Sequence, residues 1–462
     1  MRIDHFAAHR RFSRRRFLRL TAASAATALL ASCTSNGVRP RFGRPARTVD
    51  TRWPIKRVVY LMLENRSFDN VFGTFPGANG ATTGVSHGIE RPLIRCPQWL
   101  PGDFSHDRFA SSAHINGGTM DGFATGRFGE PYAFSRLEAE DIPNYHHWAR
   151  SFVLCDNVFA SALGASHPNH LFFISGTSGG AIDNPENTQT LLKDGESYKS
   201  WGIDAYGDDM YVWVKDERGE LSKHSTTFDI PTYGTELSKA DIDWAFYGPE
   251  PHQAGYMWSV YNAIPDVFNT ELWDEHVWPV DELMIDVEAS ALPAVTWIVP
   301  RFALSDHPPF SSCHSHNWVT DLVNGIMRSD MWPETAIFIT WDEWGGFYDH
   351  VRPPVYDPIG PGIRVPMLVI SPYAKKGYVD DAEGEFSSPL RFIADNWDLP
   401  HLTDRVRRTH NFEHVFDFDR GPRDPDPRPR NDDCYGVATE FPEAYPSWQP
   451  GIEPHVPTLD TS

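Results

Sequence analysis

The sequence predicts an α/β domain: a mostly parallel central sheet flanked by helices, with a smaller irregular cap or insertion. Three observations predict it. Four short runs are continuously apolar and β-rich: Arg57–Leu63 (RVVYLML), Ala294–Val299 (AVTWIV), Thr335–Trp341 (TAIFITW) and Val365–Ile370 (VPMLVI). Such runs suit strands buried on both faces, as in a parallel sheet. Between the second and third run, Val319, Leu322, Val323, Ile326 and Met327 recur at helical spacing within His316–Met331. Strand, helix, strand is the order of an α/β unit. Residues 181–290 are richer in Gly, Asp, Trp and Tyr and weaker in periodicity, which reads as insertion or cap.

Composition supports a globular chain. Of 462 residues, 40% are hydrophobic and 13% aromatic, too many for a disordered polymer. The 38 prolines and 34 glycines argue for many turns rather than a helical bundle. The length fits one large domain or two to three ordinary ones. The core is expected over 53–420, and the Pro-rich tail 421–462 is expected to wrap the surface in extended form.

The first residues read as an address. Ser13-Arg14-Arg15-Arg16-Phe17-Leu18-Arg19 resembles the twin-arginine export signal, and Leu20–Leu30 has the form of a signal h-region, too short to span a bilayer. Leu30-Ala31-Ser32-Cys33 resembles a lipobox, which implies cleavage after residue 32 and lipid on the Cys33 thiol. Residues 33–52 then read as a flexible tether between peripheral membrane attachment and domain. The expected location is the cell envelope, on the outer face of a membrane or in the periplasm, with secretion as the alternative.

Residues 1–32 carry seven Arg and one Asp, so removing them takes the net charge from −21 to −27. That field opposes nucleic-acid binding, which needs a basic footprint, and adsorption to anionic lipid. An anionic ligand would need a local cation. Besides Cys33, the cysteines are Cys96, Cys155, Cys313 and Cys434, with no CxxC pair. A ribbon-type zinc is disfavoured. Export permits one or two disulfides, and the pairing stays open.

Polar groups stand where the predicted strands end, the usual place for sites in open α/β sheets. Glu64-Asn65-Arg66-Ser67-Phe68-Asp69 follows the first strand, and Asp342-Glu343 follows the third. Hard oxygen ligands from two strand tips suit Mg²⁺, Ca²⁺ or Mn²⁺, or Zn²⁺ if a His joins. The competing reading is helix caps and surface ion pairs. Gly164-Ala165-Ser166-His167-Pro168-Asn169-His170 reads as a loop entering a helix, where N–H groups face an anion and a hydroxyl is well placed as a nucleophile. The competing reading of Ser166 is a simple N-cap.

Together these pieces resemble the bacterial phosphoesterase family that contains phosphatidylcholine-type phospholipases C and a respiratory-burst-inhibiting acid phosphatase, within the alkaline-phosphatase-like superfamily. The resemblance runs from about Ile55 to Asp419. It rests on VVYLMLENRSFDNVFG (Val58–Gly73), DIPNYHHWARSFVLCDNVFASALGASHPNH (Asp141–His170), TWDEWGGFYDHVRPP (Thr340–Pro354) and GIRVPMLVISPYAKKGYV (Gly362–Val379), with weaker support from Asn116–Phe123 and Ser305–Pro309. It implies an alkaline-phosphatase-like fold, a phosphoester substrate, phospholipid among the possibilities, and one divalent ion that is Ca, Mg, Mn or Zn. Glu64, Asn65, Asp342 and Glu343 are the implied metal ligands and Ser166 the implied nucleophile. His106 and His307 are the implied phosphoryl-binding or proton-donating histidines.

The sequence also departs from the family pattern. Trp344 stands where DEHGG is common, His170 where Arg is common, and Ala165 where Pro is common. Arg66 is expected on phosphate, on Asp69 or on the sheet edge. Asp349 and His350 are expected in structural hydrogen bonds, and Gly345-Gly346 at a close backbone passage. His146-His147 is a weak metal pair, and His252 is the one guess for a further site histidine. Two other functions remain open: a sulfatase or phosphonate hydrolase, disfavoured because no Arg follows Ser166-His167-Pro168 at the expected place, and a non-catalytic surface lipoprotein.

Overall fold

The computed structural model describes residues 50–100, 102–123, 132–193, 195–432 and 434. The export signal, Cys33, most of the tether and the last part of the tail lie outside the described residues.

Among the described residues, nine strands make the central sheet: β1 (Arg57–Leu63), β2 (Val153–Phe159), β3 (Trp244–Gly248), β4 (Val277–Pro279), β5 (Val295–Ile298), β6 (Thr335–Trp341), β7 (Arg364–Ile370), β8 (Tyr378–Asp380) and β9 (Gly384–Glu385). Their order is β4-β3-β5-β1-β6-β7-β2-β8, with β9 also on β2. All pairings are parallel except those of β7, which runs against both β6 and β2. The α/β class and the mostly parallel sheet are as expected. The direction of β7 is not, because VPMLVI is buried along its whole length like its neighbours, and burial carries no sign of direction.

Six helices matter for the site: α1 (Phe68–Phe72), α2 (Arg108–Ile115), α3 (Pro143–Ser151), α4 (Ser166–Ser175), α5 (Ser312–Arg328) and α6 (Ser387–Trp397). The predicted helix over 316–331 is α5, shifted toward its N-terminus because Ser311 caps it by accepting from Cys313 N. Aromatic rings bind helices to sheet: Tyr60 on β1 lies 4.4 Å from Phe173 on α4, and Trp297 on β5 donates to Phe173 O at 3.1 Å.

Residues 181–290 divide in the structure. Two small hairpins, Leu191–Lys193 with Glu196–Tyr198 and Val212–Lys215 with Leu221–His224, stand apart from the central sheet. Trp244–Gly248 and Val277–Pro279, by contrast, are strands of that sheet, so the region read as cap contributes to the core from Trp244 onward. WAFYG is wholly buried; the polar composition around it masked a five-residue run.

Residues 421–432 carry no helix or strand. They follow the surface by hydrogen bonds to side chains of the body, including Asn324 Nδ2 to Arg428 O at 2.7 Å and Trp332 Nε1 to Arg423 O at 2.9 Å. A Cys313–Cys434 disulfide ties the tail to the start of α5. Cys96 and Cys155 are buried free thiols.

Candidate active site

Pairing of β1 with β6 matches Leu63 to Trp341, so the residues that follow emerge side by side. Asp342 N donates to Leu63 O at 2.9 Å. Asn65 N donates to Asp342 Oδ1 at 3.0 Å. Asn65 holds φ 60°, a left-handed conformation uncommon outside Gly. Gly345 explains how two chain segments fit here: a Cβ on it would meet Asn65 O at 2.4 Å, and its φ is +64°. The close passage expected at Gly345-Gly346 is therefore present.

The chain leaving β2 delivers Ser166 to the same edge. Asn169 holds that loop in shape: its Oδ1 accepts from Ala162 N at 2.8 Å, and its Nδ2 donates to Ala165 O at 3.2 Å. Ser166 is the first residue of α4 and Ala165 is the N-cap, with no side-chain cap bond. The Ser166 hydroxyl instead donates to Glu64 Oε2 at 3.2 Å. The helix offers an anion less than its position suggests. His167 N already donates to Asn184 Oδ1 at 2.9 Å, and Pro168 has no N–H. One turn on, His170 Nε2 lies 2.6 Å from Glu64 Oε1 and 4.0 Å from Asp342 Oδ2. Ser166 and His170 share a helix face through their spacing of four.

Glu64, Asn65, Asp342 and Glu343 are each 0% exposed. Asn65 Oδ1 and Nδ2, Asp342 Oδ2 and Glu343 Oε1 have no hydrogen-bond partner among the described residues. Burial, then Asp342 and Glu343, pushes the Glu64 carboxyl well above the ordinary range. Burial likewise raises Glu343, against the opposing pull of His106. His170 supplies no counter-charge, since burial pushes it down to about 4. Crowded buried carboxylates with unpartnered oxygens are what a hard divalent cation satisfies. The four expected ligands fit one, and Glu64, His170 and Asp342 form a candidate metal-holding group.

A second group stands beside the first. His106 Nδ1 lies 3.4 Å from Asp103 Oδ1, His307 Nε2 lies 4.0 Å from Asp103 Oδ2, and the two imidazole centroids are 5.8 Å apart. Burial pulls His106 down, but the Asp103 and Glu343 carboxylates together overcome it and leave the ring well above its ordinary value. His307 goes the other way, lowered by burial and by the His106 charge against the pull of Asp103. Its Nδ1 lies 2.5 Å from Pro308 O, which assigns the proton to Nδ1. Asp103 was not singled out in the sequence; the only signal was its i,i+3 spacing from His106.

Other singled-out residues are structural. Arg66 meets neither Asp69 nor open space. It donates to Asp306 O and Ser312 Oγ, each at 2.9 Å, and lies over the Phe347 ring. Asp69 is held by Arg364 at 3.1 Å, and Arg364 also pairs with Asp349 at 3.1 Å. His350 Nδ1 lies 2.7 Å from Asp69 Oδ2, so Asp349 and His350 have the expected structural bonds. His147 pairs with Asp426 at 2.6 Å while His146 packs on Phe72 and Phe75. His252 packs edge-on to Tyr198. Trp344 Nε1 donates to His114 Nδ1 at 3.0 Å, a partner the sequence did not suggest.

The family model described as Phosphoesterase family matches residues 55–400. The chain belongs to that family. A hemolytic phospholipase C of Pseudomonas aeruginosa is 26% identical over 83% of this chain and 58% of its own length. Phospholipase C B of Mycobacterium tuberculosis is 25% identical over 84% of this chain and 82% of its own. The chain thus spans less than two thirds of the first of these relatives. Among solved structures, a protein of the alkaline phosphatase superfamily from Vibrio parahaemolyticus matches at 10% identity and TM-score 0.34, over 77% of this chain and 69% of that one. No helix among the described residues is long and apolar enough to cross a membrane.

Proposed function

We propose that this protein hydrolyses phosphate esters, as a phospholipase C-like or acid phosphatase-like enzyme, through Ser166 and one divalent cation. The observation that carries the reading is the Ser166 hydroxyl at 3.2 Å from Glu64, on the edge of a buried acid cluster with unpartnered oxygens.

Glu64, Asn65, Asp342 and Glu343 would hold the cation. Bound there, it supplies the positive charge that eases ionisation of a hydroxyl and gathers phosphoryl charge. Glu64 Oε2 orients the Ser166 hydroxyl by accepting its proton in a hydrogen bond, which directs an oxygen lone pair outward. His170 fixes the other Glu64 oxygen and, being neutral, leaves that carboxylate its charge. Ser166 Oγ passes its proton to Glu64 Oε2, 3.2 Å away, as it attacks phosphorus; the bond to the leaving oxygen breaks, a phosphoseryl enzyme forms, and the same proton returns to Ser166 when water displaces it. His106, the charged member of its pair, protonates the departing alcohol, an effect of about 10²–10⁴-fold. His307, neutral with Nε2 unprotonated, fits removal of a proton from the water that releases phosphate or a phosphomonoester. The reverse assignment of the two histidines is the other reading the sequence left open.

Ser166→Ala is expected to lower turnover of p-nitrophenyl phosphate and p-nitrophenyl phosphorylcholine by about 10³-fold or more. Assaying both across Ca²⁺, Mg²⁺, Mn²⁺ and Zn²⁺ selects ester class and metal. Retained turnover in Ser166→Ala removes the nucleophile assignment. An oxidised Ser166 in the peptide mass favours a sulfatase. Absence of both bound metal and activity favours a binding lipoprotein. Export through the twin-arginine route and a lipid on Cys33 belong to the same reading; the mass of the mature N-terminus tests both.

A further inference from the structure

An imidazole can take a proton from water only while the bare nitrogen faces the reacting atoms. His307 has one hydrogen bond that sets its ring, from Nδ1 to Pro308 O at 2.5 Å. That acceptor belongs to the next residue, so the bond ties the ring to its own loop. Nε2 lies 4.0 Å from Asp103 Oδ2, beyond hydrogen-bond reach. The neighbours that bound the ring are aromatic. Phe302 lies 4.5 Å away at 34°, and Trp258 lies 5.8 Å away at 32°. Trp258 and Phe302 are themselves parallel, 5.1 Å apart at 3°, so the two rings form one clamp.

Trp258 comes from the region read as cap, far from His307 in sequence. It is wholly buried and ends the short turn Tyr256–Trp258. Tyr256 Oη anchors that turn by donating to Asp204 Oδ2 at 2.6 Å. Phe302 N donates to Ala254 O at 3.2 Å, which joins the two segments. Gly255, with φ +93°, lets them close up: a Cβ there would meet Phe302 N and the Trp258 ring at 3.0 Å each. Trp258 is also parallel to His170 at 6.3 Å, but His170 has its own tie to Glu64 at 2.6 Å. The Trp258 Nε1–H has no acceptor among the described residues. What this residue contributes is ring surface rather than a hydrogen bond.

We propose that Trp258 is the positioning residue for His307: with Phe302 it clamps the imidazole so that Nδ1 stays on Pro308 O and Nε2 stays turned toward Asp103 and the site. The proposal rests on the phosphoester reading for the task of His307, and it deepens that reading by giving the cap a part in the water step. In that step the water proton moves to His307 Nε2 as the water oxygen displaces Ser166 from phosphorus.

The first test needs no turnover. Nitrogen-15 NMR of the histidines in the full-length protein, with Mg²⁺ present and the His307 signal assigned by its loss in His307→Gln, reads which ring nitrogen carries the proton. Wild type and Trp258→Phe are expected to show Nδ1–H, and Trp258→Leu a mixture with Nε2–H. The second test is rapid-quench kinetics on p-nitrophenyl phosphate with the divalent ion that supports turnover. Trp258→Leu is expected to release about one nitrophenolate per enzyme in a burst and to accumulate phosphoserine, with the water step slowed about 10²-fold. Trp258→Phe should restore it. An unchanged tautomer in Trp258→Leu overturns the proposal, and so does wild type that lacks the Nδ1–H form. Equal slowing of both chemical steps makes the residue structural and also overturns it. If the tautomer responds but no protein hydrolyses any ester, the clamp stands and the enzymatic reading falls. If Trp258→Leu does not fold, Phe302→Leu removes the other, half-buried ring, and an unchanged tautomer there overturns the clamp.

Discussion

Replacing Glu64 with Gln should stabilise the metal-free protein and cost it its metal. The ligand atoms of Glu64, His170 and Asp342 lie within 4.8 Å of one another. Two unit charges at that separation repel by about 3–4 kcal/mol at an effective dielectric of roughly 20. Gln keeps its one carbonyl oxygen as acceptor for the 2.6 Å contact to His170 and turns its amide N–H toward the Ser166 hydroxyl, which then accepts at the 3.2 Å contact; the weaker, neutral hydrogen bonds cost about 1 kcal/mol. The net gain for the metal-free protein is about 2–3 kcal/mol, or roughly 3 °C in midpoint for a domain of this size. The effect has a sign in pH. Glu64 is raised by burial and by its acidic neighbours, so the folded state holds its proton more tightly than the unfolded chain does. Ionisation then weakens the fold as pH rises above the unfolded value of about 4.3. The advantage of Glu64→Gln should be absent near pH 4 and present at pH 8. Metal reverses the ranking: at about 100 times Kd, wild type gains about 2.7 kcal/mol, and the variant gains little. Scanning calorimetry of both proteins, with chelator and with each divalent ion, at both pH values, measures all of this. A chelated variant no more stable than wild type at pH 8, or an advantage that grows toward pH 4, would refute the electrostatic account of the cluster.

Two further predictions concern other charged groups. Arg364→Met leaves Asp349 buried without its guanidinium and Asp69 with His350 alone as ionic partner, and should destabilise by about 3–5 kcal/mol. Because burial, against the pull of Arg364, already holds Asp349 at about 6, acidification from pH 7.5 to 5.5 should reduce that penalty in urea unfolding; a penalty that does not change with pH counts against it. His106→Asn should slow alkyl phosphoesters by about 10²–10⁴-fold and p-nitrophenyl esters far less, since nitrophenolate leaves without a proton. With His106 raised above its ordinary value, wild-type activity on alkyl esters should show an alkaline limb, and the variant should lose that limb. Equal losses on both ester types would move the acid role elsewhere.

Much of the site was legible because strand ends are marked in sequence. Apolar runs stop at Leu63 and Trp341, and the next residues are acids. The i,i+4 spacing puts Ser166 and His170 on one face. What remained hidden was hidden for stated reasons. Trp244–Gly248 is too short to dominate the polar region around it. Asp103 lies on an irregular segment, where no periodicity marks a side chain. Arg66 looked available for phosphate because nothing local reveals that Asp306 and Ser312, far along the chain, take its donors.

The amino-acid order alone determined which segments are buried, where they end, and which residue types stand at those ends, because hydrophobic patterning and local chemistry are written within a few residues. Tertiary structure decided the reversed direction of β7, the contact of Ser166 with Glu64 across 102 positions, and the pairing of Arg364 with Asp69 rather than Arg66. Such choices are made between segments that are distant in sequence. Only the folded arrangement fixes which desolvated charge meets which partner.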